Sequence, residues 1–146
     1  MRASLEVADI FRAAGPAYRV AHAGHLSLVQ LKVMTAIETR RPDVFFPIEA
    51  RIIAPDDAML SPFYQRESGS IAVHAWFKDD YSFLFELIEP ILRKHGGWPH
   101  WGKLNSLGAA DFRKLYPRFE DAAKLRAELD PQGRLLNPYL RKVFGV

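Results

Sequence analysis

The chain contains no cysteine. That removes disulfides, thiol nucleophiles and cysteine-ligated zinc or iron–sulfur centres from consideration. It also lacks any apolar run near the ~18 residues needed to cross a bilayer. Glu6 and Asp9 interrupt the first fourteen residues, so these do not read as a secretory signal. A cytoplasmic protein is the simplest expectation. No P-loop, G-x-G-x-x-G fingerprint or G-x-S-x-G elbow is present, so no nucleotide cradle is recognisable.

What is there fits one globular domain. The 146 residues are 49% hydrophobic and 25% charged, ordinary values for a folded chain with its own core. The net charge of +3 is unevenly placed. Residues 1–41 carry Arg2, Arg12, Arg19, Lys32, Arg40 and Arg41 against Glu6, Asp9 and Glu38, while residues 42–146 balance. Arg40-Arg41 is only a pair, where a nucleic-acid surface requires a dense basic cluster; no nucleic-acid partner is expected.

Periodicity predicts the elements. Leu5, Ala8, Ile10 and Phe11 suggest a helix over 4–14, ended by Gly15-Pro16, with a second short helix over 17–23. Ser27 and Gln30 have capping-box spacing and open a helix with Leu28, Leu31, Val33, Met34 and Ile37 on its apolar face. Alternation over 46–54 predicts a strand with Ile48, Ala50 and Ile52 toward the core and Glu49, Arg51 and Ile53 away from it. A second strand is expected over 70–77 and a helix over 81–95, disturbed by Pro90 and closed by Gly96-Gly97. Further helices are expected at 109–116, 118–129 and 138–144. Asp130-Pro-Gln-Gly133 is turn chemistry, and Leu135-Leu136 is a candidate for brief sheet pairing. The order gives an α+β fold: N-terminal helices followed by a small antiparallel sheet packed with helices. The chain divides into a helical arm, 1–41, and a body, 42–146.

Glu49 and Arg51 lie two apart on one strand and so share a face. A carboxylate accepting and a guanidinium fork donating make a pair suited to vicinal hydroxyls, or an ordinary solvent-facing ion pair. His74 sits on the next strand, on the face of Ala72 and Trp76. Pro99-His-Trp-Gly-Lys103 crowds two ring systems, a glycine and a lysine into one turn, which suits a ligand edge. His22 and His25 have a metal-compatible spacing, but no carboxylate cluster completes a ligand set, so no metal is expected.

From Phe46 onward the chain resembles the carboxy-terminal part of the FAD-dependent sugar-lactone and alditol oxidases, the D-arabinono-1,4-lactone oxidase family. The resemblance rests on Phe46-Pro-Ile-Glu-Ala-Arg51, Ala54-Pro-Asp-Asp-Ala-Met-Leu-Ser61, Ile71-Ala-Val-His74, Pro99-His-Trp-Gly-Lys103, Leu115-Tyr-Pro-Arg-Phe119, and Leu129-Asp-Pro-Gln-Gly-Arg134 running into Asn137-Pro-Tyr-Leu140. It implies that Glu49 and Arg51 contact substrate hydroxyls, that Lys103 lies near flavin and substrate, and that His74 lines the site. His100 joins this substrate-binding set. Ala75 and Trp76 stand where alditol oxidases have a small hydroxyl-bearing residue. The family's flavin-binding domain lies upstream of this region, so no cofactor is expected on this chain and no oxidation by it alone.

Residues 2–41 resemble instead the start of rolling-circle insertion-sequence transposases, through Leu5-Glu-Val-Ala-Asp-Ile-Phe11, Gly15-Pro-Ala-Tyr18 and Ala23-Gly-His-Leu-Ser-Leu28. Three expectations follow. The first is a substrate-domain remnant binding a polyol, sugar or aldonolactone. The second is a mobile-element resistance protein acting on a sugar-containing antibiotic, with Glu49, Asp56, Asp57 and Glu67 as contacts for a cationic aminoglycoside. The third is a ligand-free fusion that pairs as a homodimer.

Overall fold

The computed structural model describes residues 9–13, 18–44, 48–76 and 78–146. It is an α+β fold: a three-stranded antiparallel sheet and five α-helices among the described residues. The central strand of the sheet is the last in sequence. β3 (Glu67–Ala72) lies between β1 (Asp9–Ala13) and β2 (Glu49–Ile53), antiparallel to both.

β1 corrects the helix expected over 4–14. The eleven residues expected to be helical make only a marginal isolated helix, whereas five of them gain a partner strand. The same five can satisfy one side of β3, pairing from Asp9 with Ile71 to Ala13 with Glu67. Obligatory backbone hydrogen bonding outweighs a short apolar spacing. The rest of that expected helix lies outside the described residues.

α1 (Tyr18–Arg40) is one continuous helix, so Ser27 lies in its interior and not at a helix start. Val29, Val33 and Ile37, spaced by four, form its buried stripe against Ile71 and Val73 of the first core cluster. Leu28 and Leu31, expected on that face, are 47% and 59% exposed. Pro42, lacking an N–H, follows the last turn.

β2 is shorter than expected and covered differently. α1 lies over β3 and β1, and this leaves Ile52, assigned above to the core, 63% exposed and Ala50 exposed beside it. Only Ile48, just before the strand, joins the first cluster. β3 starts three residues earlier than expected and ends at Ala72. Val73 and Ala75 leave the ladder yet stay buried.

The helix expected over 81–95 is divided. A π-helical turn (Leu84–Ile88) leads into α2 (Glu89–Lys94), and the Glu89 N–H bonds the Leu84 carbonyl five residues back. Pro90 explains the wider turn: its ring displaces a carbonyl four residues back and supplies no N–H. Gly96 closes α2 at φ +75°, a left-handed position expected of it.

The second core cluster gathers Leu107, Phe112, Tyr116, Phe119, Leu136, Val143 and Phe144. They come from α3 (Ala109–Leu115), α4 (Phe119–Leu129), α5 (Pro138–Phe144) and the connections between them. Asn137 caps α5 by accepting from the Leu140 N–H at 2.8 Å. Asp130 closes the preceding turn, its oxygens each 2.9 Å from the N–H groups of Arg134 and Leu135. Leu136 therefore enters this core and Leu135 faces water, in place of the sheet pairing expected of them.

One buried carboxylate links the two clusters. Glu89 is 2% exposed. Its oxygens accept from the Ser106 hydroxyl at 2.7 Å and the Ser106 N–H at 3.1 Å, with Arg93 at 3.8 Å. Replacing Glu89 by Ala leaves the Ser106 N–H without its acceptor and is expected to lower stability by about 2–4 kcal/mol in urea titration. A loss below about 1 kcal/mol would show the link to be dispensable.

Asp130 predicts an acid response. The Leu135 N–H first, then the Arg134 N–H, Arg126 and the Gly133 N–H, hold its carboxyl below the usual carboxylate range. A depressed folded-state pKa stabilises above the unfolded value, near pH ~4, and that stability disappears as pH falls through the folded value. Asp130→Asn is expected to flatten the fall in melting temperature between about pH 4 and pH 2. An unchanged profile would count against this role.

Candidate functional site

Register places the predicted pair. Arg51 is opposite Ser70 and Glu49 opposite Ala72, and residues opposed in an antiparallel ladder share a face. His74 follows Ala72 by two residues. The Arg51 guanidinium donates to the Glu49 carboxylate through Nη2 and Oε2. The other carboxylate oxygen lies 3.9 Å from Nε2 of His74. Glu49 thus stands between an exposed guanidinium and an imidazole whose side chain is only 12% exposed.

Among the described residues neither ring nitrogen of His74 has a hydrogen-bond partner, and both are shielded from solvent. A buried polar group left unpaired costs about 1–3 kcal/mol, and a hydroxyl reaching it relieves that cost. Acceptor, donor fork and amphoteric ring therefore lie side by side. This is the donor and acceptor set that a polyhydroxylated molecule complements.

His100 and Lys103 belong to the turn before α3 and are held by the second core cluster. Trp98 has the Arg66 guanidinium over its ring, 3.7 Å from the ring centre, and makes a tilted contact with Tyr116. The Tyr116 hydroxyl donates to the Pro99 carbonyl at 2.8 Å and receives the Trp101 N–H at 3.3 Å. The Trp101 indole donates to the Leu60 carbonyl at 2.9 Å. His100 stacks on Trp101 and accepts the Gly102 N–H at 3.0 Å through Nδ1. A Cβ at residue 102 would come within 3.2 Å of that imidazole, which accounts for the glycine.

Sequence reading overlooked the groups behind this turn. The Tyr139 hydroxyl contacts the carbonyls of Trp101 and Lys103, the latter at 2.9 Å, and receives the Asn105 amide at 3.0 Å. Burial raises the Tyr139 pKa, opposed by the Asn105 bond, so the phenol stays a donor through neutral pH. Asn137-Pro-Tyr-Leu140 was read as a helix start and as part of the family resemblance, and neither reading singles out the Tyr139 hydroxyl.

The acidic set named for a cationic ligand is scattered. Glu67 begins β3, whereas Glu49 pairs at its other end. Asp56 is engaged by the Ser61 hydroxyl at 2.5 Å and the Ala58 N–H at 3.1 Å, and it shapes the loop after β2. His22 and His25 fall within α1. No helix among the described residues is long and apolar enough to cross a membrane.

The family model for D-arabinono-1,4-lactone oxidase matches residues 22–143. The chain belongs to that family. The match extends the resemblance, read above from Phe46, back through most of α1 and into the segment read as insertion-sequence-like. An L-gulono-1,4-lactone dehydrogenase of Mycobacterium tuberculosis is 39% identical over 114 residues, covering 78% of this chain and 27% of its own length. The L-gulonolactone oxidase of Mus musculus is 38% identical over 125 residues, covering 81% and 28%. An alditol oxidase of a Streptomyces species is 38% identical over 99 residues, covering 66% and 23%. The chain spans about a quarter of the length of the curated relatives it matches.

FAD, the cofactor the family implies, requires backbone donors around its pyrophosphate and a slot for its ring system. Neither the start of α3 nor the hollow beside α4 and α5 supplies these. Gly108 opens α3, but the Asp111 carboxylate occupies that helix start and accepts the Gly108 N–H at 3.2 Å. The hollow of about 500 Å³ beside α4 and α5 is walled by side chains such as Met59, Leu125, Leu129 and Leu136. These residues do not fit a flavin cradle.

The exposure of the Glu49–Arg51 pair makes it a poor source of stability. Exposed ion pairs contribute about 0–1 kcal/mol. Glu49→Gln should change the unfolding free energy by less than about 1 kcal/mol in chemical denaturation. A loss of several kcal/mol would make the pair a structural element and remove the case for a recognition role.

Proposed function

We propose that this chain recognises the hydroxyls of a sugar-derived lactone or an alditol, as the substrate-binding portion of a lactone or alditol oxidase. The observation that carries this reading is the Glu49–Arg51 pair displayed on β2 beside the unsatisfied ring of His74. The names of its relatives, which include lactone oxidases and an alditol oxidase, point to the same substrate class.

In this reading Glu49 accepts hydrogen bonds from neighbouring hydroxyls and the outward N–H groups of Arg51 donate to their oxygens. His74, whose ring nitrogens are shielded behind Glu49, meets a third hydroxyl only if its ring turns toward the surface of the strand. Lys103 donates from the turn after Trp101, with His100 beside it, toward the carbonyl or carbinol end of the ligand. Oxidation of a carbinol removes a hydride and a proton, and FAD is the hydride acceptor in such chemistry. This chain's own residues bind and orient the carbinol.

The test is titration of the chain with L-gulono-1,4-lactone and with xylitol, followed by NMR. Saturable shifts confined to 49–51, 72–76 and 100–104 are expected. Arg51→Met should weaken binding about tenfold, the scale of one charge-assisted hydrogen bond. Shifts elsewhere, or stronger binding of the aminoglycoside kanamycin than of either polyol, would overturn the reading.

A further inference from the structure

Lys103 is presented by a turn of irregular backbone, and such backbone is held in one conformation only when its polar groups are met from outside. Here that support comes largely from α5. The Lys103 carbonyl accepts from the Tyr139 hydroxyl and the Asn105 amide, both at 2.9 Å. The single phenolic proton of Tyr139 serves the Trp101 and Lys103 carbonyls together, and the Asn105 amide donates to the phenol oxygen. Asn105 is itself 6% exposed, and its Oδ1 accepts the Leu107 N–H at 3.0 Å. Carbonyl, phenol and amide thus form a closed triangle beneath the lysine.

We infer that Tyr139, backed by Asn105, is a positioning residue that holds the backbone of Lys103 so that its ammonium group meets the ligand. This rests on the reading of Lys103 as a ligand contact. The Tyr139 ring also packs on the second core cluster, so a purely structural role must be separated from a positioning one. Tyr139→Phe keeps the ring and deletes only the hydroxyl.

Two measurements on the full chain decide the matter. In hydrogen exchange, Tyr139→Phe should speed the amides of Gly102, Lys103 and Leu104 about tenfold or more and leave those of Val33 and Ile88 unchanged. Unchanged exchange at 102–104 would overturn the inference. In titrations with L-gulono-1,4-lactone, Tyr139→Phe should weaken binding about fivefold in the parent and negligibly in a Lys103→Met background, since coupled residues are non-additive. Equal weakening in both backgrounds means that Tyr139 acts without Lys103, and the inference fails. Asn105→Ala is expected to reproduce both effects in weaker form. If Lys103→Met itself leaves affinity unchanged, the reading of Lys103 falls and the positioning role with it. If Lys103→Met weakens binding while Tyr139→Phe does not, only the positioning role falls.

Discussion

A carboxylate almost sealed from water is tolerable only where donors surround it, and Glu89 meets that condition by reaching across to Ser106. That contact joins the two hydrophobic cores. One lies between α1, the sheet and the π-helical turn; the other lies among α3, α4 and α5. The turn carrying His100 and Lys103 ends three residues before Ser106. Its placement relative to the sheet therefore depends on this bond, together with the indole of Trp101 on the Leu60 carbonyl and Arg66 over Trp98.

Much of this arrangement was legible in the residues. Gly96, the turn at Asp130, the helix over 138–144, and the shared face of Glu49 and Arg51 all follow from local chemistry, and the structure shows each. Local chemistry was insufficient where a distant partner decided the outcome. Asp9–Ala13 became a strand because β3 had an open edge, and Ser27 lost its capping role because the helix before it did not stop. Ile52 has the residue type of a core position, yet the helix that should cover it lies over β3 and β1. Alternation predicts two faces but not which one receives the helix.

The candidate site was half legible for the same reason. Residue type and spacing identified Glu49, Arg51 and His74, and the structure brings those three together. His100 and Lys103 stood out by their crowded turn, but the groups that hold that turn, Tyr116, Tyr139 and Asn105, come from positions up to 38 residues away. A tyrosine at the start of a short helix carries no mark of the carbonyl its hydroxyl will meet.

The position of β2 has a consequence for the free chain. Among the described residues this strand has a neighbour on one side only, so its outer backbone groups offer a template to any other extended segment. Ile52 adds an apolar side chain to that template, and Arg51 beside it provides a charge that discourages such docking. The guanidinium read above as a hydroxyl donor thus also discourages two β2 edges from pairing.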